Sequence, residues 1–318
     1  MRRIFSVLLT GCLFLGSVAA AHAEGGFFDN DKPSAVLGAP VNVGIAGGAI
    51  LPKGMLLTAL NASFRDKTQH VGPDGAANDT FSQTWLLKIR YGLFDRFEIS
   101  TVVPYVNNDV DNQYWRVAGL GDVYVGTSTA ILSQRAGDPF WLTLNAGLSL
   151  PTGDEHIPGA GVLGGRLGLS WAKRFNKNIL VAGDFVWEMP FGRGNEPYDS
   201  PAPWNRSGSV ERGDVYTATA HARYMFNSWD VGVETVYQKA ESGTRHLGDN
   251  YVRPADGKSE FIMNNGVTEW VVGPSVNVAF DPLNLWVGAG AFFPVYQDAK
   301  GPTKMEDVRY EFKIGKTW

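Results

Sequence analysis

Residues 308–318 alternate in character. Val308, Tyr310, Phe312, Ile314 and Trp318 fall on one parity; Arg309, Glu311, Lys313 and Thr317 fall on the other. Successive side chains of a β-strand point to opposite faces, so this stretch reads as a strand with one greasy and one charged face. A soluble sheet rarely leaves a strand this long and this amphipathic at its end, because an open edge recruits other chains. A closed barrel has no edge. In a membrane barrel the greasy face meets lipid and the charged face meets a wet lumen. Lys316 breaks the greasy parity beside Trp318, as expected where a strand leaves the hydrocarbon and a long cation reaches for water.

The start of the chain points to export. Arg2 and Arg3 precede an apolar run from Ile4 to Leu15, and Ala21-His22-Ala23 is a small-x-small cleavage site. Residues 1–23 therefore read as a signal peptide cut near Ala23. The apolar run is too short to span a bilayer as a permanent helix. Leu9-Thr10-Gly11-Cys12 resembles a lipoprotein box, but the apolar stretch before Cys12 is short and continues beyond it. Cys12 is the single cysteine, so the exported chain has none. That excludes disulfides, thiolate catalysis and thiolate metal sites. With 28 Lys and Arg against 32 Asp and Glu, the net charge of −4 gives no basis for nucleic-acid binding.

Strand-like runs recur over 54–66, 81–93, 97–107, 119–132, 140–151, 162–175, 179–190, 214–226, 229–240, 266–280, 285–297 and 305–318, twelve in all. Ten or fourteen stay open at soft boundaries. Connectors alternate. Those at 94–96, 133–139, 176–178, 227–228 and 281–284 are short, with Asn, Asp and Pro supplying turn chemistry. Those at 67–80, 108–118, 152–161, 191–213, 241–265 and 298–304 are mostly longer and rich in Gly, Pro and polar residues. Short periplasmic turns and long extracellular loops are the membrane-barrel layout, and an even count puts both ends in the periplasm. The expected fold is an all-β, transmembrane antiparallel β-barrel of about 12 strands over 54–318. Residues 24–53 run from a polar start into an uncharged, Gly-rich stretch, and read as a periplasmic lead-in or a small plug. Pro104, Pro151, Pro190 and Pro294 stand near the outer strand ends, where proline ends a ladder or marks a bulge.

The run Tyr91-Gly-Leu-Phe-Asp-Arg-Phe-Glu-Ile-Ser100, continuing through Val103-Pro104-Tyr105, resembles a strand–turn–strand signature. It is that of bacterial outer-membrane transporters named for the meta pathway of phenol degradation. Gly119-Leu-Gly-Asp-Val123 and Leu148-Ser-Leu-Pro-Thr-Gly-Asp154 resemble that family's next two segments. The resemblance covers residues 54–175 well and the rest by strand pattern alone. Phe94 stands where the family more often has a small polar residue. The resemblance implies a barrel and a role in the passage of small aromatic or hydrophobic compounds.

Inward parity collects the charges. Lys88, Arg90, Glu98, Arg166, Arg174, Asp184, Glu188, His221, Arg223, Asp230, Glu234, Glu269, Arg309, Glu311 and Lys313 are expected to line the lumen. Many should pair across strands, because unpaired buried charge is costly. Whether they seal the barrel or line a wet channel stays open: eight strands are filled by side chains and sixteen enclose water, with twelve in between. A hydrolase needs a nucleophilic Ser tied to a His base. Only His221 lies within an expected strand, and no hydrolase motif accompanies it. Asp154, Glu155 and His156 are adjacent loop residues that rarely converge on one ion. No catalytic residue, metal site or cofactor is expected. The leading expectation is an outer-membrane channel for passive passage of small solutes. Its partners would be membrane lipids, the solute, and the barrel-assembly machinery through the strand ending at Trp318. Two readings compete with it: an outer-membrane enzyme of the lipid-hydrolase type, and a structural or adhesive barrel with partner-binding loops.

Overall fold

The computed structural model describes residues 49–69, 78–110, 116–154, 161–176, 178–195, 208–247, 260–262, 266–300 and 305–318. Twelve antiparallel strands close into a barrel. They are β1 (Leu56–Gln69), β2 (Asn78–Phe94), β3 (Phe97–Val110), β4 (Arg116–Leu120 continued by Val123–Leu132), β5 (Trp141–Leu150) and β6 (Gly164–Arg174). The second half holds β7 (Ile179–Pro190), β8 (Val215–Phe226), β9 (Trp229–Ala240), β10 (Val267–Phe280), β11 (Leu285–Ala299) and β12 (Met305–Thr317). Each strand pairs with its sequence neighbours, and β12 closes on β1 with Ala59 opposite Gly315 and Asn61 opposite Lys313. Closure satisfies every strand edge, which is the condition for a sheet to cross lipid. The alternation of 308–318 sits in β12: Ile314 is exposed on the outside while Glu311 is fully buried inside.

The outside is apolar. Leu60, Leu87, Ile99, Leu144, Leu169, Phe185 and Val233 are large, exposed and on outward parity. Aromatics gather at both strand ends: Tyr91, Trp171, Tyr224 and Trp318 at one, Tyr105, Tyr237, Trp270 and Tyr296 at the other. This is the outer band and paired aromatic girdles of a transmembrane barrel. At the short-turn end, Asn227 and Asn284 adopt left-handed φ of 51° and 53°, a conformation Asn tolerates better than most residues.

Three features depart from the expected strand map. First, β1, β2 and β3 run longer than expected, because polar pairs such as Gln69 with Asn78 continue the ladder past the apolar belt. Second, β4 breaks at Gly121–Asp122, opposite Pro104, whose carbonyl accepts the Gly121 N–H at 2.9 Å. Third, the connectors 191–213 and 241–265 carry Gly194–Asn195, Gly208–Glu211, Thr244–Leu247 and Glu260–Ile262, which join in a separate four-stranded sheet. These pieces are too short and polar to show a period.

Pro294 pairs with Val271 at a register shift, so this proline sits at a bulge. Residues 1–48 lie outside the described residues, as do the signal peptide and most of the expected lead-in. What is described of that lead-in turns into the barrel. Ala49, Ile50 and Leu51 are buried, and Gly54 N–H donates to the Gly92 carbonyl at 2.7 Å.

Candidate functional site

The inside of the barrel divides in two, and side-chain size decides where. On the β8–β12 side large inward side chains such as Arg223, Phe292 and Arg309 are buried. On β4–β6 most are small, namely Gly126 and Ser128; Thr143, Asn145, Gly147 and Ser149; Gly164, Gly168 and Ser170, with Tyr124 and Arg166 as large exceptions. The first half fills; the second leaves a cavity of about 540 Å³. Its lining runs from Arg135 at the short-turn end to Asp122, Pro190 and Arg212 at the long-loop end. This volume lies within the ordinary range for small-molecule sites.

The filled half is a stack of ion pairs and apolar layers. Arg223 donates from Nε to Asp230 at 2.6 Å and from Nη1 to the Ser275 hydroxyl at 2.7 Å, and its Nη1 also meets Glu234. The Ser275 hydroxyl donates to Glu234 at 2.6 Å, and the Asn277 amide donates to both Asp230 oxygens at 3.0 and 3.1 Å. Register produces this convergence, since Met225, Asp230 and Asn277 lie across from one another on β8, β9 and β10. Beside it, Val236, Val271 and Phe292 form a buried apolar layer.

Nearer the long-loop end, Arg309 grips Glu306 bidentately at 2.8 and 2.9 Å and reaches Glu269 at 3.2 Å. Gln297 donates to Glu269 at 3.0 Å, and Arg65 stands 3.8 Å from Glu306. Glu311 accepts from the Ser63 hydroxyl at 3.4 Å. Buried carboxylates keep their charge only when met this way.

The short-turn end is apolar inside. Leu57, Ala59, Trp141, Ala172, Leu180, Ala182, Met225, Ala279 and Trp286 pack together, and Ala49 and Leu51 join them from the entering segment. Glu98 fixes that segment. It accepts the Leu51 N–H at 3.0 Å and two bonds of 2.8 Å from Arg90, whose Nη2 also donates to the Ala49 carbonyl at 2.9 Å.

The candidate lumen residues distribute as follows. Lys88, Arg90, Glu98, Arg166, Glu188 and Lys313 line the cavity. Arg166 lies over the Tyr124 ring at 5.2 Å and 3.5 Å from Glu188. Arg223, Asp230, Glu234, Glu269, Arg309 and Glu311 belong to the filled half. Asp184 accepts the Thr219 hydroxyl at 2.6 Å. His221 is buried on inward parity, opposite Glu234. Arg174 bends to the turn below, donating to the Asn176 carbonyl at 3.1 Å.

Several lining residues carry no charge signal and escape pattern reading: Asn61, Tyr124 and Trp286. Arg65 continues the inward row of Asn61 and Ser63 on β1, whereas Glu306 is off the parity of Arg309 and Glu311 and comes inside through the register shift between Asp66 and Lys67. At the long-loop mouth, Asp122 accepts backbone N–H groups from Gly153 at 2.9 Å and Gly161 at 2.8 Å, with Val162 at 3.3 Å, and so gathers that connector.

No curated protein matches the chain in sequence. In structure it is similar to an outer-membrane channel from Pseudomonas putida F1, at 13% identity and a TM-score of 0.67, covering 86% of this chain and 98% of that one. The transport unit of the autotransporter AIDA-I from Escherichia coli follows at 10% identity and a TM-score of 0.47, covering 82% and 89%. A mutant of the TodX monoaromatic hydrocarbon channel matches at 10% identity and a TM-score of 0.46, covering 84% and 91%. At such identities the likeness is one of fold. Sequence goes further: the family described as "Putative MetA-pathway of phenol degradation" matches residues 75–298, the same family that the segments around Tyr91, Gly119 and Leu148 resemble. The chain belongs to that family.

Proposed function

We propose that the protein is an outer-membrane channel through which small solutes, aromatic or hydrophobic compounds among them, pass passively. The observation that carries this reading is the cavity along β2–β7, about 540 Å³, walled by small residues where the opposite half is solid. The family's description names phenol degradation, and the Pseudomonas putida protein of like fold is described as an outer-membrane channel. Both agree with the reading.

On this reading residues 1–23 are a signal peptide cut near Ala23. The short turns face the periplasm, the long loops face outward, and the strand ending at Trp318 engages the barrel-assembly machinery. Lys88, Arg90, Glu98, Arg166, Glu188 and Lys313 line the path, while the Arg223 and Arg309 networks hold the closed half shut. A lipid-hydrolase reading needs a His base at the lipid face; His221, the one histidine whose side chain is among the described residues, points inward and is 3% exposed.

The protein should fractionate with the outer membrane and migrate on gels in a heat-modifiable way; recovery in soluble periplasm contradicts the reading. Expression without residues 1–23 should leave it in the cytoplasm.

A further inference from the structure

We propose that Tyr124, laid flat on the cavity wall beside Arg166, is a stacking shelf that selects aromatic rings over saturated rings of the same size. The inference rests on the channel reading for its use in transport, but not for its geometry.

The shelf follows from register and from two glycines. One inward row crosses the wall from Gly126 on β4 through Gly147 on β5 and Arg166 on β6 to Glu188 on β7. Tyr124 stands two residues from Gly126 on the same parity, opposite Ser149. Its ring reaches along the strands and lies on the glycine pair. A Cβ at Gly126 would stand 2.6 Å from Cζ of Tyr124, and a Cβ at Gly147 would stand 2.5 Å from it. Neither position can carry a side chain unless the ring lifts. Glycine inside a strand weakens it, and its usual warrant is a close approach to the backbone. Here the approaching group is the phenol ring.

A wall that needed only to be filled would not use this arrangement, since Val or Thr at the same positions would fill it with better strand propensity. Seated on glycine, the ring rests one face on backbone and leaves the other toward the cavity. Tyr124, Arg166 and Glu188 line that cavity together. Trp286, the other aromatic residue of the lining, is 3% exposed, whereas Tyr124 is only half-buried. Tyr124 is therefore the ring that a solute can reach.

Arg166 completes the site. Its guanidinium carbon lies 5.2 Å from the Tyr124 ring centre. Close contact between carbons is roughly 3.5–4.0 Å, so the guanidinium overhangs the ring without sealing it. Glu188 stands 3.5 Å from Nε of Arg166 and steadies it from the next strand. The two side chains are 31% and 46% exposed, so both face open cavity. A phenol ring and a guanidinium plane both attract aromatic faces, through ring stacking and cation–π attraction. A saturated ring gains neither.

The test uses the purified full-length barrel in detergent and equilibrium dialysis of two probes alike in size and hydroxyl group, benzyl alcohol and cyclohexylmethanol. Protein-free micelles give the blank. The parent should bind benzyl alcohol about three- to tenfold more tightly than cyclohexylmethanol, the scale of one or two stacked contacts. Tyr124→Leu should bring that ratio to about one, and Tyr124→Phe should keep it. Gly147→Ala retains the tyrosine but lifts its ring, and should at least halve the ratio. Arg166→Gln should lower it about twofold. Heat-modifiable mobility verifies that each variant is folded. A parent ratio near one, a folded Tyr124→Leu that keeps the preference, or a Gly147→Ala without effect overturns the shelf. Equal loss in Tyr124→Phe and Tyr124→Leu overturns it too, because the hydroxyl and not the ring would then make the contact. Proteoliposome uptake of the same two probes separates the two ideas. Uptake without a binding preference sinks the shelf alone, and a binding preference without uptake sinks the channel alone.

Discussion

Arg223 draws Asp230 and Glu234 together inside the barrel, donating from Nε to Asp230 at 2.6 Å while its Nη1 lies on Glu234. All three side chains are cut off from solvent. Removing the arginine leaves two buried carboxylates facing each other. Arg223→Met should cost about 3–5 kcal/mol, the usual penalty for orphaning one side of a buried pair. The temperature at which the folded gel band converts to the unfolded one should fall by many degrees. Replacing Asp230 and Glu234 by Asn and Gln in the same chain should recover much of that loss, since no carboxylate then stays unmatched.

Glu98 is the clasp on the entering segment. It takes both Arg90 nitrogens and the Leu51 N–H, so Glu98→Ala removes three bonds that hold residues 49–51 against the wall. That segment shares the apolar cluster at the short-turn end. Planar-bilayer recordings should show larger and noisier conductance for Glu98→Ala than for the parent. Unchanged conductance would mean that residues 49–51 do not narrow the path.

Gly315 is a packing position. Trp286 lies over it, and any Cβ collides with the ring. Gly315→Val should cost about 1–3 kcal/mol by overpacking and should shift the near-ultraviolet signal of the displaced indole. Gly137, in the β4–β5 turn, has open space around its Cβ position but a φ of +95°. Substitution there is expected to strain the turn without disturbing any tryptophan, which separates steric from backbone effects.

Asp122 collects three backbone N–H groups of the connector after β5. Its loss removes charge-assisted bonds, each worth about 1.5–3 kcal/mol. Asp122→Ala should leave the barrel folded yet expose the 152–163 connector to external protease in intact cells. Cleavage rates equal to those of the parent would contradict its role as the organiser of that mouth.

Strand positions were legible because the alternation is local. Trp85, Leu87, Ile89 and Tyr91 announce β2 and its outward face without any knowledge of β1. Asn227 and Asn284 likewise announce tight turns. Pairing was not legible. Parity puts Arg223, Asp230 and Glu234 inside, but their meeting depends on the relative register of β8 and β9, and Ser275 and Asn277 join from β10. The cavity is also nonlocal: it exists because small inward residues on three consecutive strands coincide in height. Asn61 and Trp286 were invisible for the same reason, since neither a lone Asn nor an indole flanked by Leu285 and Val287 signals a face. Residues 49–51 gave no pattern at all, and their place is decided by Glu98, 47 residues on from Leu51.

The central claim is passage through the cavity along β2–β7, and uptake into proteoliposomes tests it most directly. Vesicles carrying the purified protein should take up phenol-sized aromatic solutes faster than protein-free vesicles. Replacing two of the small inward residues, as in Ser128→Phe with Ser170→Phe, should abolish the gain while the protein stays folded. Uptake equal to that of empty vesicles, or uptake unaffected by filling the cavity, would contradict the account.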